Sequence, residues 1–126
     1  MKRVLLQVYT NQSVEAVDAY LEAFNGTLGY HVRKEDGSYY HSEIEIEGHI
    51  LSVAQIDDRI DYESPSSYPT MQFCFHYQQD EIDQLKHAYH HLAQDATILF
   101  PLGPTDYSSC CVDFIDRFGV RWCLFV

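Results

Sequence analysis

Hydrophobic and polar residues alternate along most of the chain in short runs, interrupted by two stretches of helical period. Residues 3–9 (RVLLQVY) read as a first strand, with Val4, Leu6 and Val8 on one face. Asn11 or Ser13 supplies a helix cap. Val14, Val17, Tyr20, Leu21 and Phe24 then form one apolar stripe, ended by the left-handed stop Asn25-Gly26. Residues 28–34 suit a second strand, and Glu35-Asp36-Gly37-Ser38 a turn. In residues 39–46 (YYHSEIEI), Ile44 and Ile46 point one way and His41, Glu43 and Glu45 the other. Glu47-Gly48 turns the chain into a fourth strand over residues 49–55. Residues 57–69, rich in Asp, Ser, Pro and Tyr, form the natural linker.

The order then starts again. Residues 70–77 are strand-like, and Asp80 is placed to cap a helix that aligns Ile82, Leu85, Tyr89 and Leu92. A strand over 96–100 is followed by the loop Pro101-Leu102-Gly103-Pro104. The last two strands, 108–115 and 119–126, flank Asp116-Arg117-Phe118-Gly119. The stretch from Gly48 to Val53 weakly parallels that from Gly119 to Leu124, each after an alternating strand. The chain is therefore expected to be one α+β domain of two βαβββ modules, about 1–56 and 70–126, too few copies for a repeat array.

In each module one helix covers one face of a mixed four-stranded sheet. The sets Val4/Leu6/Val8, Ile44/Ile46, Met71/Phe73/Phe75 and Trp122/Leu124/Val126 are expected under the helices. The opposite faces hold Gln7, His41, Glu43, Glu45, Gln72, Cys74, His76 and Cys123. If two such curved sheets face each other, these residues line a shared cleft. The same pattern also suits a solvated sheet face.

Composition narrows the partners. Of 126 residues, 19 are Asp or Glu and 8 Lys or Arg, giving a net charge of −11. That balance argues against nucleic acid and against an anionic membrane surface, both of which need clustered cations. No apolar run approaches the length of a membrane span. Gln7 and Asn11-Gln12 cut short the basic, apolar start before it resembles a signal-peptide core, so a cytoplasmic location is expected. Cys74, Cys110, Cys111 and Cys123 are then expected to be reduced. Their spacing is not that of a zinc clamp.

Four segments carry a family resemblance. The stretch 14–26 (VEAVDAYLEAFNG) is similar to the first helix of PhnB-like proteins. The stretch from His41 to Gly48 resembles their His-Ala-Glu-Leu-x-Ile-x-Gly strand. Phe75-His76-Tyr77 with Glu81-Ile82-Asp83 resembles their Leu-His-Val and Val-Asp element, and Asp116-Arg117-Phe118-Gly119-Val120-Arg121-Trp122 their Asp-Pro-Phe-Gly-His-Arg-Trp signature. On these segments the chain resembles the PhnB-like branch of the vicinal-oxygen-chelate (glyoxalase/bleomycin-resistance/dioxygenase) superfamily. The resemblance implies paired modules with mixed curved sheets around a cleft, helices outside, in a homodimer. It also implies either a metal-dependent lyase, isomerase or dioxygenase, or a protein that sequesters small molecules. The methyltransferase label attached to some relatives is not supported, because no glycine-rich strand-to-helix loop is present.

Catalytic members of the superfamily place His or Glu on the first and last strands of each half. The corresponding positions here fall near Leu5 or Gln7, Ser52, Gln72 and Cys123, so a divalent metal is disfavoured and no cofactor is predicted. His41, Glu43 and Glu45 share a face, suiting proton transfer, metal binding or plain solvation. His76 lies either in the cleft or in a hydrogen-bonded barrel position. His87 and His91 stand at i and i+4, a spacing that suits a metal, but the sequence offers no carboxylate to complete a ligand set there, and with His90 they read as a wet helix face. Cys74 and Cys123 read as small filler on neighbouring strands. Tyr107 is placed to orient a ligand at the pocket edge, beside Ser108, Ser109 and Cys110-Cys111. The candidate pocket is thus Gln7, Tyr9, His41, Glu43, Glu45, Ser52, Gln72, Cys74, His76, Tyr107 and Cys123. The expected function is small-molecule binding in a metal-free cleft, the alternatives being a superfamily enzyme or a structural homodimer.

Overall fold

A computed structural model describes residues 1–56, 69 and 71–126. The chain divides into two compact units, Met1–Ser64 and Pro65–Val126. Apart from residue 69, the expected linker lies outside the described residues, as does the expected strand start at residue 70.

The first unit runs β1 (Leu6–Thr10), α1 (Ser13–Ala23), β2 (Thr27–Arg33), β3 (Tyr39–Ile46) and β4 (His49–Gln55). Its sheet has the order β1-β4-β3-β2. β1 and β4 are parallel, and the other neighbours antiparallel. The turn between β3 and β4 is the expected two-residue one. Glu47 and Gly48 both take positive φ, 50° and 84°, the geometry that matches strand twist in a tight hairpin. Asn25 ends α1 in the left-handed region at φ 50°. Gly26 follows for a different reason: a Cβ there would lie 2.8 Å from Ile44 Cγ2. Only glycine lets the chain pass that close to β3.

The second unit repeats the order. β5 (Phe73–His76) leads through a 3-10 turn, Gln79–Glu81, into α2 (Ile82–Leu92), then β6 (Thr97–Gly103), β7 (Cys111–Ile115) and β8 (Arg121–Phe125). The sheet order is β5-β8-β7-β6, with β5 and β8 parallel. The paired βαβββ reading thus holds strand for strand, and each sheet is mixed.

The cores lie between each helix and its sheet. In the first unit, Ala16, Val17, Tyr20, Ala23 and Phe24 bury against Val8, Ile44, Leu51 and Val53. In the second, Leu85, Ala88 and Leu92 bury with Val112, Phe114, Trp122 and Leu124. Fully burying each large side chain contributes about 1.5–3 kcal/mol. The segment from Asp116 to Trp122 has a structural explanation. Buried Asp116 accepts the backbone N–H of Phe118 (2.9 Å) and of Val120 (3.0 Å) on Oδ1. Its Oδ2 accepts the indole N–H of Trp122 at 2.8 Å. One carboxylate therefore closes the turn and anchors the largest core side chain.

Several local expectations are corrected. Val4 lies outside β1 and is 70% exposed, and Leu6 is 49% exposed. β1 is an edge strand, and only Val8 and Thr10 at its C-terminal end are buried. Met71 precedes β5 and is 66% exposed, leaving Phe73 and Phe75, each half-buried beside Trp122, as that strand's apolar pair. Neither Asn11 nor Ser13 caps α1; Ser13 Oγ instead accepts the Tyr39 N–H at 3.0 Å. Asp80 does not cap α2. A reciprocal capping box between Gln78 and Glu81 starts the preceding turn. β6 continues through Pro101, which an edge strand tolerates. β7 begins at Cys111 rather than at residue 108, because Ser108 is turned inward to bond the backbone of Cys110 and Val126.

Candidate functional site

In the first unit Gln7 and Tyr9 of β1 and His41, Glu43 and Glu45 of β3 project from the sheet face opposite α1. Register places Gln7 and Glu43 on either side of Ser52. Five side chains there form one continuous hydrogen-bonded array. Arg3 donates two bonds to Glu43, at 2.7 and 2.8 Å. Glu43 Oε1 lies 3.1 Å from His41 Nε2, His41 Nδ1 lies 2.7 Å from Gln7 Oε1, and Gln7 Nε2 donates to the Tyr9 hydroxyl at 2.7 Å. Both ring nitrogens of His41 are thus engaged, one by Glu43 and one by Gln7.

Glu43 is 5% exposed. The Arg3 guanidinium, then the His41 N–H, hold its carboxyl below the usual range against the opposing cost of burial. The same contact raises Arg3. Ser52 is fully buried, and its hydroxyl has no hydrogen-bond partner among the described residues. An orphan of this kind costs about 1–3 kcal/mol. The aromatic rim is open, with Tyr9 51% and Tyr30 65% exposed. The Tyr30 ring stands 6.0 Å from that of His41. Glu45 is exposed and stands outside the array.

The second unit carries a different chemistry on its corresponding face. Cys74 lies opposite Cys123 in the parallel β5–β8 ladder, as expected, and Asp113 opposite Cys123 in the β7–β8 ladder. Cys111 Sγ and Cys123 Sγ are 3.9 Å apart, and the Tyr107 hydroxyl is 3.5 Å from Cys111 Sγ. Arg121 chelates Asp113 at 2.8 and 3.1 Å. His76 shares the face of Cys74, is exposed, and stacks on Phe125, ring centroids 4.5 Å apart. Gln72 precedes β5; its Oε1 accepts from Cys74 at 3.6 Å, while its buried Nε2 has no partner among the described residues. Burial first, then the neighbouring Cys111, pushes the Cys123 thiol up to about 12. The bond with Cys111 pushes the Tyr107 phenol up to about 12. A depression of about 520 Å³, lined by Phe100, Thr105, Asp106, Tyr107, Cys111 and Asp113 among others, opens beside these groups.

Most residues expected in the pocket do lie on the polar sheet faces, with Cys111 beside Tyr107, and the structure adds Arg3, Asp113 and Arg121. Parity held the signal: Arg3 has the same phase as Gln7 and Tyr9, and residues 111 and 113 match 121 and 123 across their hairpin. The register also makes Cys74, not Gln72, the counterpart of Gln7. The first- and last-strand positions are therefore Gln7, Ser52, Cys74 and Cys123. An amide, a hydroxyl and two thiols do not fit a hard divalent centre. Among the described residues, no three His, Cys, Asp or Glu side chains converge to hold a metal. No described helix is long and apolar enough to cross a membrane.

No protein-family model and no curated protein matches the sequence. Solved structures do match its fold. Protein PA1353 from Pseudomonas aeruginosa aligns with a TM-score of 0.82 at 18% identity, covering 99% of this chain and 97% of that one. The PhnB protein from Bacillus cereus gives 0.78 at 22% identity, covering 99% and 98%. A mutant of the fosfomycin resistance protein FosX from Listeria monocytogenes, complexed with Mn(II) and 1S,2S-dihydroxypropylphosphonic acid, gives 0.70 at 14% identity, covering 99% and 92%. The chain therefore has the glyoxalase/bleomycin-resistance fold, of α+β class, that these vicinal-oxygen-chelate proteins share.

Proposed function

We propose that this chain is a PhnB-like member of the vicinal-oxygen-chelate superfamily that binds a small organic molecule, without a divalent metal, against the polar face of its first sheet. The observation that carries this reading is the array Arg3–Glu43–His41–Gln7–Tyr9 beside the unpartnered Ser52 hydroxyl. It offers a fixed polar surface flanked by exposed tyrosine rings, a combination typical of ligand sites. Binding is favoured over acid–base catalysis by the state of the two candidate groups. Glu43 is held ionised by the Arg3 guanidinium and the His41 N–H and is a weak proton acceptor. His41 is engaged at both ring nitrogens, by Glu43 and by Gln7, which leaves neither free to take a substrate proton. In the same reading the protein is a cytoplasmic homodimer that binds no nucleic acid.

The test uses the full chain in the presence of a chelator. A library of small organic molecules is screened by thermal shift, and hits are measured by calorimetry. Binding without metal is expected, weakened at least about tenfold by His41→Ala, a loss of about 1.4 kcal/mol. Binding that appears only after Mn(II) or Fe(II) is added overturns the reading. So does binding indifferent to both His41→Ala and Tyr9→Ala. Light scattering tests the dimer.

A further inference from the structure

We propose that Cys111 and Cys123 form a binding site for a soft monovalent cation of the Cu(I) type on the face of the second sheet opposite Trp122 and Leu124. The pairing register carries the argument. Cys111 lies opposite Phe125, and Cys123 opposite Asp113, so the two cysteines are diagonal neighbours rather than a facing pair. Diagonal positions on an antiparallel ladder are about 7–8 Å apart in the backbone. That is beyond the usual span of a disulfide, which breaks down above about 7 Å. Their sulfurs nevertheless converge to 3.9 Å. The arrangement suits one atom bridging the sulfurs. Two metal–sulfur bonds of about 2.3 Å span this separation at an angle of about 115°.

The ligand set decides the metal. Thiolates select soft ions. Tetrahedral zinc needs four protein ligands or three and a water, and no three candidate ligands converge among the described residues. A d10 monovalent ion accepts two thiolates with an open third position. The depression of about 520 Å³ reaches Cys111, beside the Tyr107 hydroxyl, and gives the ion a path to an otherwise buried thiol. Arg121, bonded twice to Asp113, offsets the charge of that carboxylate opposite Cys123. On binding, two S–H bonds break, two Cu–S bonds form, two protons pass to solvent, and copper stays Cu(I).

The experiment titrates the full chain anaerobically with Cu(I) against a coloured Cu(I) chelator. One equivalent is expected to bind, with release of two protons. Loss of chelation in Cys111→Ser or Cys123→Ser should weaken binding by about 10²–10⁴-fold, whereas Cys74→Ser should leave it unchanged. Unchanged affinity in both of the first two variants overturns the site, as does an air-formed Cys111–Cys123 disulfide found by peptide mapping. Should either variant fail to fold, X-ray absorption on copper-loaded Cys74→Ser decides. Two sulfur scatterers support the site, and a shell dominated by nitrogen or oxygen refutes it.

Discussion

Replacing Asp116 with alanine should destabilise the second unit by about 3–5 kcal/mol, and the arithmetic follows from three hydrogen bonds. Each bond to a charged acceptor contributes about 1.5–3 kcal/mol net. The N–H groups of Phe118 and Val120 belong to a turn that water can approach after truncation, so their loss falls at or below the low end. The indole N–H of Trp122 cannot be rescued in that way, since Trp122 is fully buried. Stranding it costs the full penalty for a buried donor, about 1–3 kcal/mol. Asp116→Asn separates the contributions. The amide oxygen still serves Phe118 and Val120, while its NH2 now opposes the indole N–H, for an expected loss of about 1.5–3 kcal/mol. Trp122 is the only tryptophan in the chain, so its fluorescence during urea denaturation reports on this unit alone. At this chain length the alanine variant should melt about 10–20 °C lower. A variant within about 1 kcal/mol of wild type would show that the Asp116 contacts do not anchor the core, and equal stability of Asp116→Asn would show that the indole bond contributes nothing.

Other perturbations test separate parts of the structure. Gly26→Ala places a methyl 2.8 Å from Ile44 Cγ2 and 3.1 Å from the Glu45 carbonyl, so overpacking should cost about 1–3 kcal/mol by chemical denaturation; no change would mean that β3 yields there. The lowered carboxyl of Glu43 contributes stability that is fully present above the usual value of 4.5 and is lost as pH falls through its lower folded value. Glu43→Gln should flatten that acid limb of the stability profile, and an unaltered limb would discount the Arg3–Glu43–His41 contacts. A thiol reagent at pH 8 should label exposed Cys74 first and Cys123 far more slowly, because burial holds its proton. Mass spectrometry reads the order, and early Cys123 labelling would contradict the described packing.

Much of the fold was legible from alternation and turn chemistry. The period of two placed Ile44, Trp122 and Leu124 beneath helices, and Glu47-Gly48 announced its hairpin. The Asp116–Trp122 segment stood out as a motif, but its reason appeared only once three N–H groups were seen converging on one carboxylate. Errors gathered where local pattern lacks tertiary cover. Val4, Leu6 and Met71 look like core residues by parity, yet edge strands leave their ends uncovered.

The candidate site divides along the same line. Sequence alone determined which residues share a sheet face, because side-chain direction follows parity along a strand. It thereby brought together Gln7, Tyr9, His41 and Glu43, and separately Cys74 and Cys123. Register is not encoded in any one strand. It emerges when two strands far apart in the chain pair, and only then does Cys74 rather than Gln72 stand level with Cys123, or Cys111 become its diagonal neighbour. Rotamers add the last step: Arg3 reaches Glu43, and two buried sulfurs meet, through packing that many residues settle jointly. Periodicity is a local property of the chain, whereas adjacency is a collective one.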